Sequence, residues 1–458
     1  MSLAKRKLYY LSTTVLLLIL CSLYPDTALN QEVIIEDAPL LPLEEALIIA
    51  VVENPKIKNA FLEIQKSDDA VWAIKTKLFP ELDFSLYEAY HLTDESFEFK
   101  KGAFGDFPDM IGPIPAENTS IATTPDFTTF ITASAAQPIS QLYEISLLIK
   151  QREIQKALSD QELRARVLDI TDEVKKEYYS ILKSQSSLAA IDEKIVFLTS
   201  LLELVNRDVQ QQRLLEKDSL EVQARLGRAE YKHFKLKNTL ATQKERFNKL
   251  LGRDIETPFS VIPIPYAAPF TVNVEDAEGQ ALAQRPEIDA AELEIEFAEN
   301  EVRIKKSKYI PEIGVQFQYT ANLNVELLPE NIATIGLFAK WDVFDWGRKK
   351  SEVAEKKKSV IQAQNRLEET ESQILIDVNS KIRKLEESAV LINVTELEQV
   401  AEKENLRVVL NKYKVEDALL TQVLEAESSL EEKNSDHQKA ILDYWTARAN
   451  LDKAIGEE

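Results

Sequence analysis

The residue types that could do chemistry are few and scattered. Histidine occurs at His91, His233 and His437 and cysteine only at Cys21. None of these falls at a spacing by which a helix or hairpin presents metal ligands, so no metal and no cofactor is expected. No nucleophile stands beside a base in a recognisable motif, which puts an enzyme last among the function classes. His233 and His437 lie in charge-rich helical stretches and read as solvated surface residues. The formal charge of −22 excludes nucleic acid as a partner, since phosphate needs basic patches to neutralise it.

The alternating polar and apolar residues are more telling, because they must be positioned by strands. Ile313 to Thr320 sets Ile, Val, Phe317 and Tyr on one side against Gly, Gln316, Gln318 and Thr on the other. Thr334 to Val343 does the same, with Ile335, Leu337, Ala339, Trp341 and Val343 together and Lys340 opposite. An earlier stretch has Leu82, Phe84 and Leu86 facing away from Asp83, Ser85 and Tyr87, and Phe127 to Ala136 gives a weaker, Thr- and Ala-rich alternation. Period two over about ten residues marks a strand with one polar and one apolar face. A sandwich core gives the same pattern, so alternation alone leaves sandwich and membrane barrel open. Trp341 and Tyr319, near strand ends on the apolar side, suit an interfacial girdle.

These strands recur because the chain repeats itself. Asn54-Pro55 and Phe79-Pro80-Glu81-Leu82 return as Arg285-Pro286 and Ile310-Pro311-Glu312-Ile313, at an offset of 231 (286 − 55). Further on the offset falls to 204: Ile139 pairs with Val343, Val174 with Val378, Gly252 with Gly456 (456 − 252). The 27-residue surplus (231 − 204) sits in the first copy, in the long hairpin tip from His91 to Asp126, where insertions cost least. One structural unit is therefore used twice, side by side.

The rest is helix. No proline occurs between Pro138 and Pro258 or after Pro329, and good helix formers dominate both tracts. Tyr143 to Gln212 would run ~105 Å as a continuous helix. Its charge is too high for a bilayer, so long coiled-coil-like rods in water are expected. Charged patches at Glu216-Lys217-Asp218-Ser219 and Lys414-Val415-Glu416-Asp417 are read as turns that fold each tract back on itself; the alternative is an uninterrupted helix. Four prolines between Pro258 and Pro269 suggest an extended linker between the copies. At the start, Lys5-Arg6-Lys7, the apolar run Leu8 to Leu20 and Asp26-Thr27-Ala28 read as a cleaved signal, the run being shorter than the ~20 residues of a spanning helix. Leu20 before Cys21 disfavours lipidation there.

Several motifs in this order resemble one family. Leu43-Glu44-Glu45-Ala46-Leu47 with Asn54-Pro55, Phe79-Pro80 before a strand, Trp341-Asp342-Val343-Phe344-Asp345-Trp346-Gly347-Arg348, and Leu424-Glu425-Ala426 are similar to signatures of the TolC-like outer membrane efflux proteins. The resemblance implies an α+β membrane protein built from a duplicated helix–strand–strand–long helix–helix unit. Three chains would close a twelve-stranded outer-membrane barrel, continued by a periplasmic helical tunnel. The expected division is signal 1–28, an N-terminal segment 29–42, a first repeat 43–257 with strands near 80–90 and 127–137, a linker 258–273, and a second repeat 274–458 with strands near 311–320 and 333–343.

The function so implied is a passive exit duct of a tripartite efflux or type I secretion system, in the outer membrane of a double-membraned bacterium. Its partners would be two further copies, a periplasmic adaptor, an inner-membrane pump and lipid. A non-conducting coiled-coil scaffold of the envelope is the alternative; a polar strand face is of no use to a scaffold. Phe317, Ile335, Leu337 and Trp341 would then face lipid, and Gln316, Gln318 and Lys340 the lumen. Carried over residue by residue, the family's gate falls on Gln422 and Glu425, the first of these having lost its carboxylate, while Glu221 falls on a latching carboxylate and Tyr413 on a latching tyrosine. Ala418 occupies the basic latch position, and Leu215 and Glu416 replace the glycine usual in each turn. A single dominant ring of Glu425 is the expected constriction.

Overall fold

The computed structural model describes residues 39–93, 96–107, 112–122, 126–263, 272–325 and 328–457. The expected signal peptide with Cys21, and positions 264–271 of the linker, lie outside the described residues. The first repeat runs β1 (Leu40–Leu41), α1 (Leu43–Glu53), α2 (Pro55–Lys75), β2 (Glu81–Tyr90), β3 (Ser96–Phe99), β4 (Asp106–Phe107), β5 (Gly112–Pro113), β6 (Thr119–Ala122), β7 (Phe127–Pro138), α3 (Leu142–Gln210) and α4 (Glu216–Leu251). After β8 (Ser260–Val261) the second gives α5 (Val274–Gln284), α6 (Pro286–Ser307), β9 (Glu312–Leu323), β10 (Asn331–Lys340), α7 (Arg348–Lys414) and α8 (Leu420–Ile455).

Local chemistry explains the boundaries. The Asn54 side chain accepts the Lys56 N–H at 2.8 Å, and Pro55 takes the first helical position, where its missing N–H costs nothing. With no proline to interrupt them, α3 and α7 reach 69 and 67 residues. Asp345 starts α7 by accepting the Gly347 and Lys349 amides, both at 3.1 Å. Gly252 and Gly456 end α4 and α8 in the left-handed region, at φ 75° and 82°.

The two glycines differ in what surrounds them. A Cβ on Gly252 would stand 2.3 Å from the Glu53 carbonyl oxygen, whereas on Gly456 its nearest neighbour is the Gln284 Cβ at 3.0 Å. Left-handed strain of roughly 1–3 kcal/mol applies to alanine at either site. At Gly252 the backbone of Glu53 must move outright, whereas at Gly456 the backbone of Gln284, 3.1 Å away, need give by only a few tenths of an ångström. Gly252→Ala should therefore lower the thermal midpoint more than Gly456→Ala; equal losses would show that α1 yields freely.

The main sheet is antiparallel, in the order β10-β9-β7-β2, so β7 and β9 join the repeats at its centre. The long hairpin tip is not a bare loop. β3 pairs with β6 and β4 with β5, and Phe99 lies between Phe97 and Phe104, with centroids 6.4 and 5.1 Å away. Below the sheet, one core cluster joins α1, α3 and α4 around Tyr178 and Phe247, a second joins α5, α7 and α8, and a third lies where the four long helices turn.

The proline-rich stretch departs from a plain linker at its start. Phe259 is 1% exposed, and β8 pairs in parallel with β1. The Tyr178 hydroxyl accepts the Ile262 N–H at 2.9 Å and lies 3.0 Å from the Leu41 and Ile262 carbonyls, tying both strands to α3. An aromatic between prolines gains enough from burial to anchor the chain there.

Candidate functional site

Two regions carry the residues of interest: the turns between the long helices, and the faces of the sheet. The turns occupy 211–215 and 415–419, each closed by the same pair of backbone bonds one repeat apart: Arg213 N–H to Asp208 O, and Asp417 N–H to Lys412 O. In both, one residue adopts positive φ, Gln212 at 58° and Glu416 at 66°. The glycine-like position of the first turn is thus Gln212 rather than Leu215, which has φ −89° and caps α4.

The charged patch read as the first turn is instead the opening of α4. Asp218 accepts the Leu215 N–H at 3.0 Å, an acidic residue placed where the helix N-terminus favours it. Its repeat mate, 204 positions on, is Gln422, which accepts the Leu419 N–H at 3.0 Å. Gln422 therefore caps α8. Glu221 and Glu425 are likewise repeat mates (425 − 221), and both side chains are exposed. Glu221 accepts a 3.4 Å bond from Arg225, four residues on, whose other nitrogen donates to Leu424 O across the helix pair at 3.2 Å. The corresponding position after Glu425 is Ser429, so Glu425 lacks that neutralising cation.

Tyr413 is 9% exposed in the third core cluster, and its hydroxyl donates to Asp208 of α3 at 3.5 Å rather than to Glu221. Arg213 and Glu416 bridge the two turns at 3.0 Å on the open surface. Deeper, Lys194 of α3 binds Glu427 of α8 at 2.9 Å and also Glu431, which Lys232 of α4 holds from its other side. None of Asp208, Arg213, Lys194 or Glu427 stands out in sequence. The four-residue spacing of Glu221 and Arg225 was readable.

Burial pushes the Tyr413 phenol up to about 12, and the Asp208 carboxylate adds to it. A pKa raised on folding gives stability that is complete below the ordinary value of 10.0 and lost as pH climbs through about 12. The phenolate difference spectrum between the wild type and Tyr413→Phe should show one transition near pH 12. A transition near pH 10 instead would mean the phenol is not buried at the tip.

On the sheet, register decides which side chains share a face. Ile335 lies opposite Phe317, Phe317 opposite Ala135, and Ala135 opposite Leu82. The next row on that face is Leu337, Val315 and Gln137. The other face carries Thr334, Gln318, Ser134 and Asp83, then Gly336, Gln316, Ala136 and Glu81, with Lys340 opposite Glu312. Trp341 lies one residue beyond the end of β10, because β9 offers no partner before Glu312.

The histidines are less solvent-bound than their sequence context suggests. His437 Nδ1 lies 3.1 Å from Thr395 Oγ1, His233 Nε2 3.3 Å from Asp192, and His91 Nε2 2.9 Å from Thr128 Oγ1. Each is half-buried beside a neighbouring helix or strand. Among the described residues no three His, Cys, Asp or Glu side chains could hold a metal ion together, and no helix is long and apolar enough to cross a membrane.

A sheet with one apolar and one polar face, running directly into paired helices of this length, is the architecture of outer-membrane channel-tunnels. Solved structures share it. The outer membrane protein VceC of Vibrio cholerae is 15% identical, with 90% of this chain and 96% of that one covered at TM-score 0.70. The CmeC outer membrane channel of Campylobacter jejuni is 13% identical, with 91% and 85% covered at 0.73. The MtrE outer membrane channel of Neisseria gonorrhoeae, in its open state, is 15% identical, with 90% and 88% covered at 0.68. Comparison with curated proteins finds no match. The chain belongs to the outer membrane efflux protein family, whose model matches residues 47–253 and 278–457. It is a channel protein of the outer membrane and not an enzyme.

Proposed function

We propose that the chain is the passive exit duct of a tripartite efflux or type I secretion system. Three copies close a twelve-stranded barrel, and the helices continue it through the periplasm to an adaptor and an inner-membrane pump. The observation that carries this reading is the four-stranded sheet, whose outer strands β2 and β10 each have one edge unpaired among the described residues. Exposed edges of ten residues invite further pairing, and closure into a barrel removes them. The polar face then lines water and the apolar face meets lipid. Energy comes from the pump, so the duct needs no chemistry of its own.

In this reading the periplasmic tips form the constriction. Glu221 and Glu425 recur at matching places in the two repeats, so six carboxylates would surround the axis. Arg225 partly neutralises three of them, leaving Glu425 to dominate the field. A ring of carboxylates attracts cations and repels anions, and less so as salt screens it. In detergent the chain should be a trimer of three times 52.1 kDa less the signal. In a planar bilayer with a salt gradient it should be cation-selective, and Glu425→Gln should shift the reversal potential toward zero more than Glu221→Gln. A stable monomer that conducts nothing would overturn the duct; an unchanged reversal potential for Glu425→Gln would remove that residue from the constriction.

A further inference from the structure

Among the described residues the sheet leaves β2 and β10 each with an open edge, and the contact between the two repeats inside one chain offers a register for pairing such edges. The repeats meet where β7 pairs with β9, from Thr129 opposite Leu323 to Pro138 opposite Gly314. β9 is the repeat mate of β2 at offset 231, and β10 that of β7 at offset 204. If repeats meet alike within and between chains, the inner seam can be moved onto the outer one. Ala136 opposite Gln316 becomes Lys340 opposite Ser85 (136 + 204, 316 − 231). Gln137 opposite Val315 becomes Trp341 opposite Phe84, and Thr132 opposite Thr320 becomes Gly336 opposite Ala89.

We propose that β10 of one chain pairs antiparallel with β2 of a second copy in this register, Lys340 opposite the second copy's Ser85. The inference rests on the trimeric reading and adds to it the residues that meet. The transferred pairs keep the two faces apart except at Leu337 opposite Glu88 on the apolar face and Phe338 opposite Tyr87 on the polar one. It also gives a partner to a segment that has none in one chain. Trp341 and Val343 lie just past β10 and are 58% and 76% exposed, while Leu82 and Phe84 on the other edge are 78% and 73% exposed. In the transferred register Trp341 covers Phe84 and Val343 meets Leu82.

The helical layer is divided, and Lys150 with Glu296 maps onto the uncharged Ala354 and Gln65. Arg164 of α3 pairs with Asp289 of α6 at 2.9 Å. The same shift gives Glu368 of α7 and Lys58 of the second copy's α2, again of opposite sign with the roles exchanged (164 + 204, 289 − 231), although Lys58 is held at 2.6 Å by Glu53 of its own chain. Lys308 with Glu144 maps instead onto Lys77 and Arg348, but Arg348 is already held by Asp342 and Glu352. The rival arrangement overlaps the two ten-residue edges end to end, placing Lys340 opposite Glu81 and Gly336 opposite Ser85. It preserves the faces but leaves Trp341 uncovered, and it lacks the stagger that repeated seams must share in a closed barrel.

Disulfide trapping separates the two. In the full chain with Cys21→Ser, Lys340→Cys with Ser85→Cys should yield covalent dimers and trimers on a non-reducing gel. Gly336→Cys with Ser85→Cys should yield at least tenfold less. Within one chain β10 and β2 are three strand spacings apart, roughly 14 Å, so any bridge must join two copies. Gly336→Cys with Ala89→Cys should cross-link as the first pair does. Cross-linking of Gly336 to Ser85 instead, or a trimer in which none of these pairs bridges, overturns the register while leaving the trimer intact. A particle that is monomeric by light scattering and never cross-links overturns the trimeric reading and this inference with it.

Discussion

Lys194→Met should destabilise the helical half of the molecule by about 3 kcal/mol, toward the low end of the cost of breaking a buried ion pair. Lys194 keeps 17% side-chain exposure, which argues against the upper end, but Glu427 beside it keeps only 7%. Burial pulls the ammonium's pKa down, and its hydrogen bonds to Glu431 and Glu427 more than offset it, so the net direction is up. Glu431 is held below the usual carboxylate range by Lys194 and Lys232, against its own burial. Without Lys194 a carboxylate stays buried between helices, beside a second one. Lys194→Met combined with Glu427→Leu removes both charges and should recover most of the loss, because the penalty lies in the unpaired charge. The denaturant midpoints of the single and double variants check this. Equal midpoints would mean that α3 and α8 are held together by apolar packing alone.

The large features were legible because they rest on period and composition. Two tracts without proline are the two longest helices, and alternation set Phe317, Ile335 and Leu337 apart from Gln316 and Gln318 before any pairing was known. The repeat offsets located Gly252 and Gly456 as counterparts, though not the crowding that distinguishes them. That depends on Glu53, some two hundred residues away. The first turn was misplaced by several residues because a charged patch serves equally well as a loop and as a helix start, and Asp218 uses it as the latter, whereas the second patch, at Lys414 to Asp417, does fall on the turn. Contacts across helices left no trace in sequence. Tyr413 reaches Asp208, and Arg213 reaches Glu416, only because two hairpins lie side by side. Trp341 reads as strand because its alternation continues past Lys340, yet pairing within one chain stops where β9 begins.

The facing proposed for the sheet makes Leu337 and Gln318 opposites in their tolerance of charge. Leu337 shares its face with Val315, Ile335 and Phe317, and it is 79% exposed in the single chain. Among the strand residues the one charge on that face is Glu88, two residues before the end of β2. Gln318 lies opposite Thr334 and Ser134 on the other face, which also carries Asp83, Glu81, Glu312 and Lys340. An arginine near the bilayer midplane on the lipid face of a barrel costs ~2–4 kcal/mol, and a threefold assembly incurs that cost three times. In the lumen the same arginine stays hydrated beside carboxylates and costs little. Leu337→Arg should therefore abolish or sharply reduce the trimer recovered from outer membranes, while Gln318→Arg assembles normally and alters only ion selectivity. The comparison is made on heat-resistant trimer in membrane fractions at matched expression. Equal loss from both substitutions would show that the sheet does not present one face to lipid, and a greater loss from Gln318→Arg would reverse the facing.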